Sequence, residues 1–303
     1  MIGVGLIDSS WIARLDPVLA GQGGVLSRLF GRNQPYGMPI SGTVADVEAL
    51  TLADLMEFYR LHYMPNNAIL IVGGDITTEQ VRGLAEKFYG PIPARPVAPR
   101  HRPDHGAVDL PQTVSRADVR VVEPRWTRHY LAPSYNKGET RHAYALQVLA
   151  QLLGGTETSR LWRALVVDGK RALSVWAGYR ANSLGLTSFD IGVHPAASVT
   201  MAEVENAVAA ELERVTDGGV TTAEVERAQN QLLAAAIYSQ DSLQSGPRIF
   251  GGALSTGSTV ADVAAWPERI SAVRPDEIVA AARHVWQPSR LVTALLTPPS
   301  GSR

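Results

Sequence analysis

The chain has 303 residues, 45% hydrophobic and 19% charged, with a formal net charge of −1. That is enough apolar material for about two domains at ~150 residues each, and the balanced charge excludes a disordered tail and an electrostatic binder of nucleic acid. Cysteine is absent, which excludes a disulfide scaffold, a cysteine nucleophile and a thiolate metal site. The longest apolar runs, Ala68 to Val72 and Val148 to Leu153, fall far below the ~18 residues of a membrane span. The first sixteen residues show no basic region and no apolar core of signal-peptide length. The expected compartment is therefore open: cytoplasmic by default, periplasmic if the natural N-terminus lies upstream.

The first clear element runs from Thr51 to Tyr63, where Leu52, Leu55, Met56, Tyr59 and Tyr63 recur at helical spacing. Thr51 caps it, with Asp54 at the N3 position of a capping box. Pro65-Asn66-Asn67 stops the helix, and Ala68 to Val72 reads as a buried strand closed by Gly73-Gly74-Asp75. Thr77 caps a second helix carrying Val81, Leu84, Ala85 and Phe88, which Gly90-Pro91 ends. Pro91, Pro93, Pro96, Pro99, Pro103 and Pro111, interspersed with arginines, then make an extended linker. The expected organisation is a first domain over 1–95, a linker over 96–112 and a second domain over 113–303.

Beyond the linker, Val114 to Ala132 reads as one or two strands and Glu139 to Leu153 as a buried helix ended by Gly154-Gly155. Thr158 to Val166 predicts another helix, and Ala172 to Val193 a hairpin turning near Asn182 to Gly185. Three or four helices are expected between Met201 and Trp286, followed by a strand over Leu291 to Leu296. Runs of helices with hairpin-linked strands indicate an α+β class rather than alternating βαβ units. Trp162, Trp176, Trp266 and Trp286 read as core fillers. The paired glycines at 73–74, 154–155 and 251–252 lack phosphate-loop spacing and read as terminators or close contacts. Ser134, Ser159 and Ser242 sit in no G-x-S-x-G context, so a serine triad has no support.

An internal repeat is the most informative feature. Arg60-x-x-Tyr63-x-Pro65 before one apolar segment matches Arg283-x-x-Trp286-x-Pro288 before another, each pair 223 residues apart. The same spacing pairs Val47 with Ile270, Leu50 with Val273, Asp54 with Glu277 and Leu55 with Ile278. The register holds over ~25 residues without a gap, as in a true repeat. Equal copies would place the start of the first one ~110 residues before Met1. The first domain is thus expected to be incomplete at its N-terminus.

Three segments of the first half, PYGMPISG (35–42), YRLHYMPNNAILIVGGDI (59–76) and FYGPIPARP (88–96), resemble the insulinase/pitrilysin-like zinc peptidases, and in particular their bacterial processing-peptidase branch. In the second half, LLGGTETSRLWRAL (152–165), GVTTAEVERAQNQLLAAAIYSQDS (219–242) and WPERISAVRPDEIVAAARHVWQP (266–288) resemble that family's second domain in order and spacing. The resemblance implies an α+β fold of two homologous mixed-sheet domains around a peptide chamber. It also implies zinc chemistry, in which the two histidines of H-x-x-E-H hold the metal, the glutamate acts as general base, and a downstream glutamate is the third ligand.

No H-x-x-E-H occurs among the seven histidines, His62, His101, His105, His129, His142, His194 and His284. By the repeat, the motif's helix would correspond to Glu139–Leu153 and fall upstream of Met1. The downstream glutamate would fall at Asp8 or Ser9, and Asp8 is not assigned as a ligand. His101-Arg-Pro-Asp-His105 imitates the motif, but Pro103 breaks an i, i+4 helix and the segment has no apolar stripe. The family's substrate-holding arginine and tyrosine, seven residues apart, align with Val166 and Leu173, so both polar groups are replaced. The resemblance implies that the partner of a zinc-type chain supplies this pair.

The expectation is a homologue of a zinc-dependent processing endopeptidase, non-catalytic in this chain, as a truncated or degenerate subunit. No catalytic, cofactor-binding or metal residue is assigned, and zinc belongs to the family rather than to this chain. The alternative is a structural or peptide-binding scaffold subunit of the same fold. A complete hydrolase built on Asp8 and distant histidines is a third, weaker reading. Implied partners are a peptide and a homologous subunit or second copy, with no nucleic acid and no membrane.

Overall fold

The computed structural model describes residues 24–31, 34–38, 42–99 and 111–299. Asp8, Ser9, His101 and His105 lie outside the described residues. The chain opens with α1 (Val25–Phe30), a 3-10 turn at Pro35–Gly37, α2 (Val44–Ala49), α3 (Leu52–His62), a second turn at Pro65–Asn67 and α4 (Thr78–Tyr89). It continues through β1 (Gln112–Ala117), β2 (Arg125–Ala132), α5 (Ala143–Gly154), a π-helix (Trp162–Asp168), β3 (Ala172–Tyr179) and β4 (Thr187–Pro195). Then follow α6 (Met201–Gly218), α7 (Thr222–Ser239), α8 (Ser245–Ser255), α9 (Val260–Ala264), α10 (Trp266–Ser271), α11 (Pro275–Val285), a turn at Pro288–Arg290 and β5 (Leu291–Thr297).

The caps read from sequence form. Thr51 and Asp54 exchange side chain-to-backbone bonds at the start of α3, and Thr77 and Gln80 do so at α4, satisfying otherwise orphaned N–H groups. Three expectations need correction. Met201 to Trp286 holds six helices rather than three or four, because α9 and α10, at five and six residues, are too short to show a period. The helix expected over Thr158–Val166 winds as a π-helix from Trp162. The strand expected over Ala68–Val72 joins no ladder among the described residues, since an extended segment becomes a strand only when another chain segment takes its N–H and C=O groups.

Residues 1–40, 103–234 and 266–303 form one compact unit, and 41–102 with 235–265 the other. The units are therefore discontinuous in sequence. In the first unit the sheet order is β1-β5-β2-β4-β3, with β1 and β5 parallel and the remaining pairs antiparallel. One face carries Trp126, Tyr130, Phe189, Ile191 and Val193 into a core with α5, α6 and α11. Leu146, Leu149 and Leu153 of α5 are fully buried there, each stabilising by ~1.5–3 kcal/mol. On the opposite face Leu131, Val292, Ala294 and Leu296 pack against Val25, Leu29 and Phe30 of α1.

The second unit contains α2, α3, α4, α8 and α9 and buries little apolar surface. Leu52, Leu55, Phe58, Tyr59, Ile69 and Leu70 are all exposed. The 68–73 segment meets α8, where Gly73 sits close enough to Pro247 that a Cβ would come within 3.1 Å of its ring.

The repeat survives in three dimensions. α3 and α11, their following 3-10 turns, and the 68–74 segment and β5 are each displaced by 223 residues at both ends. By the same spacing α1 corresponds to Arg248–Ala253 of α8. α1, from the first copy, packs on β5 of the second copy, while α8, from the second, meets the Ile71 side chain and Gly73 of the first. The two copies thus exchange a helix, which is why the compact units are discontinuous.

Candidate functional site

The open face of the five-stranded sheet is half apolar and half polar. α1 covers the β5 side, and the polar half lies toward β4 and β3. In the antiparallel register His129 stands opposite Asp190, Thr127 opposite Gly192, and Gly192 in turn opposite Trp176. His129 Nδ1 is 2.8 Å from Asp190 Oδ1, and its Nε2 is 3.0 Å from Thr127 Oγ1. With the Asp190 carboxylate accepting, Nδ1 carries a hydrogen, and Nε2 is hydrogen-bonded to the Thr127 hydroxyl. Ser188 Oγ donates to the other Asp190 oxygen at 3.0 Å.

This is the acid–imidazole–hydroxyl order of a hydrolase triad, but the setting does not serve hydrolysis. Thr127 lies within a regular strand paired on both sides, so its neighbouring N–H groups belong to ladders and none is grouped to hold an oxyanion. Both imidazole nitrogens already have partners. The cluster instead makes a rigid polar patch in which each buried group is satisfied. Sequence reading missed it because 61 residues separate His129 from Asp190, and only the strand register unites them.

β3 is the outer edge of the sheet, and an edge strand presents unpaired backbone groups to another extended segment. Leu173 and Trp176 are 55% and 41% exposed along it. Trp176, expected as a core filler, instead lies on the open face, while Trp162, Trp266 and Trp286 do pack against the core. Gly192 makes room for the indole, since a Cβ there would fall 2.2 Å from Trp176 Nε1. On the other face Gly154, at the end of α5, touches the strand so closely that a Cβ would lie 2.1 Å from the Ala177 nitrogen. β3 is thereby clamped from both sides. Val166 sits in the π-helix, partly buried against the core, and Leu173 points outward on β3. Both side chains offer apolar contact only.

Two further polar groupings support the helical layer. Arg160 donates to both oxygens of Glu224, at 2.7 and 2.8 Å, and to the Gly219 carbonyl. That guanidinium lowers the Glu224 carboxyl from 4.5 to about 2. Arg128, on the helical face, is held by Thr293 and Glu205.

The described residues do not fit zinc. Three protein ligands with free lone pairs are needed, and no group of three His, Cys, Asp or Glu among the described residues is placed to hold a metal ion. No helix of the described residues is long and apolar enough to cross a membrane.

A mixed five-stranded sheet carries α5, α6 and α11 on one face and α1 on the other, beside a second set of elements displaced by 223 residues. Residues 49–232 match the peptidase M16 inactive domain, more than half the chain, and the chain belongs to that family. It is 30% identical over 292 residues to an uncharacterized zinc protease of Streptomyces coelicolor, covering 91% of this chain and 60% of the relative. Its fold is similar to a protease from Helicobacter pylori, with TM-score 0.76, 20% identity, and coverage of 92% and 68% of the two chains. A chain of complex III from Candida albicans has TM-score 0.74 at 15% identity, over 95% of this chain and 70% of that one. The chain spans about three-fifths of the length of the curated relatives it matches first. The insulinase/pitrilysin-like resemblance and the mixed α/β class of the sequence reading are borne out.

Proposed function

We propose that this chain is a non-catalytic part of a zinc-peptidase assembly, holding an extended peptide along the β3 edge while other polypeptide supplies the zinc and the general base. The observation that carries this reading is the edge strand itself, held between Gly154 and Gly192 and bearing exposed Leu173 and Trp176. A peptide added there gains main-chain hydrogen bonds, and its alternate side chains meet the two apolar residues. The Thr127–His129–Asp190–Ser188 patch offers hydrogen bonds beside that path and no hydrolytic step. The zinc-protease name of the Streptomyces relative supports the substrate class, and the absent H-x-x-E-H supports the non-catalytic role.

The test is amide hydrogen exchange of residues 172–179 with and without an unstructured ~20-residue peptide. Protection on β3 that is weakened about tenfold by Trp176→Ala is expected. Peptide binding that leaves β3 unprotected, or no binding at millimolar peptide, overturns the proposal.

A further inference from the structure

Charge is unevenly placed along this chain. Between Thr158 and Phe189, a stretch that holds the π-helix, β3 and the turn into β4, the basic residues are Arg160, Arg163, Lys170, Arg171 and Arg180. The one acidic residue there is Asp168, although the net charge of the whole chain is −1. Arg160 is taken up by Glu224. Arg163, Lys170 and Arg180 are exposed, and their side chains have no hydrogen bond or ion pair among the described residues. Arg171, also exposed, acts at a distance on Glu203, whose carboxylate already accepts from Thr200 at the start of α6. Asp190, just past the stretch, is held by His129 and Ser188. Unpaired surface cations add little to stability, and a local excess of one sign is repulsive. The fold alone gives no reason for the excess.

Lys170 carries a second, independent signal. It is the one non-glycine residue with a left-handed backbone among the described residues, at φ 46°. The turn around it is fixed by backbone bonds from Gly169 to Ala164 at 3.1 Å and from Arg171 to Leu165 at 2.7 Å. Glycine would take this conformation without strain. Strain retained at an exposed lysine points to a use for its side chain.

These cations bracket the edge strand. Lys170 and Arg171 directly precede β3, and Arg180 directly follows it. At ~3.3 Å per residue the two ends stand ~30 Å apart. Exposed Leu173 and Trp176 lie between them, with a bulge between Ala172 and Ser174 interrupting the alternation near Leu173. The π-helix, which bears Arg163, packs against β3. Along the edge the order is therefore cation, apolar pair, cation.

We propose that the β3 edge selects an extended acidic peptide of about ten residues, with carboxylates toward both ends and apolar side chains between them. One set of carboxylates meets Lys170 and Arg171, the other meets Arg180, and the apolar side chains lie against Leu173 and Trp176. Main-chain bonds to an edge strand accept almost any sequence, so the charges and the two apolar contacts provide the discrimination. A basic peptide is repelled at both ends. This inference rests on the proposed binding at β3 and adds the class of peptide.

The probes are three synthetic peptides of about ten residues with one shared apolar centre, flanked by glutamates, glutamines or lysines. Each is titrated calorimetrically into the intact chain, and amide exchange is followed over residues 172–179. The glutamate peptide should protect β3 and bind about tenfold more tightly than the glutamine peptide at ~0.05 M salt, an advantage falling below about threefold at ~0.5 M. The lysine peptide should bind most weakly. Lys170→Gly should keep or raise the melting temperature while reducing the glutamate advantage about threefold, and Arg180→Gln should reduce it similarly. Equal binding and equal β3 protection by all three peptides overturns the charge selection and leaves binding at the edge standing. Preference for the lysine peptide, or a glutamate advantage that ignores salt and both substitutions, does the same. Binding of none of them, or binding that leaves β3 unprotected, overturns the inference together with the reading on which it rests.

Discussion

The sharpest consequence of the repeat is a paired substitution. Ile278→Ala removes a fully buried side chain from the contact of α11 with α5 and α6. Such truncations cost ~2–5 kcal/mol, the transfer of the lost methyl groups plus the cavity they leave. Alanine's better helix propensity returns only about half a kcal/mol. A net loss of ~3 kcal/mol corresponds to roughly 6–12 °C in a unit of this size. Leu55→Ala at the matching position removes a side chain that is 54% exposed, and surface changes of that kind stay within ~0.5 kcal/mol. Thermal melting followed by circular dichroism, with amide exchange to assign each transition to its unit, should show a large shift for Ile278→Ala and almost none for Leu55→Ala. Equal shifts would mean that the α3 face is already packed in the free chain, and the argument from exposure would fail.

A nick in the proline-rich segment 91–111 should leave both fragments together under native conditions, because Val25, Leu29 and Phe30 anchor the first to the β5 side of the sheet; separation on a sizing column without denaturant would contradict the helix exchange. The depressed Glu224 carboxyl stabilises the fold above its ordinary pKa of 4.5, and this is lost as pH falls toward about 2. Glu224→Gln should therefore lower stability at pH 7 and flatten the acid limb of a urea-midpoint series, whereas an unchanged acid limb would remove the Arg160 pair from the account. His142 and His284 stack 4.9 Å apart. Burial first, then the neighbouring His284 and Arg141, lower His142, against Glu139; burial and then Arg290 lower His284. Both rings favour the neutral form, so stability is full above the ordinary histidine value of 6.5 and falls below it. His284→Gln should blunt that fall between pH 6.5 and 5, and a melting profile indistinguishable from the parent would refute the assignment.

What was legible in the sequence is what local chemistry determines. The capping boxes at Thr51 and Thr77, the stops at Pro65 and Pro288 and the 223-residue spacing all emerge from residue type and order. The strand at Ala68–Val72 was read from composition alone, and composition is indifferent to whether a neighbour exists. Its twin Leu291–Thr297 shows the same pattern and does pair. The His129–Asp190 patch needed the register of two strands, and the exposed Trp176 needed Gly192 on the adjacent strand. The helix exchange was hidden because α1 and α8 share their spacing and little sequence, VLSRLF against RIFGGA. Their equivalence appears only when each is seen on the other copy's strand.

The claim at the centre of this account is that the chain contributes fold and binding surface to a zinc-peptidase assembly but none of the metal chemistry. Metal analysis of the purified chain after dialysis against micromolar zinc, run beside a fluorogenic-peptide assay, tests it most directly. The account predicts far less than one zinc per chain and no cleavage above background, with or without chelator. About one tightly held zinc per chain, together with cleavage that a chelator abolishes and zinc restores, would contradict it.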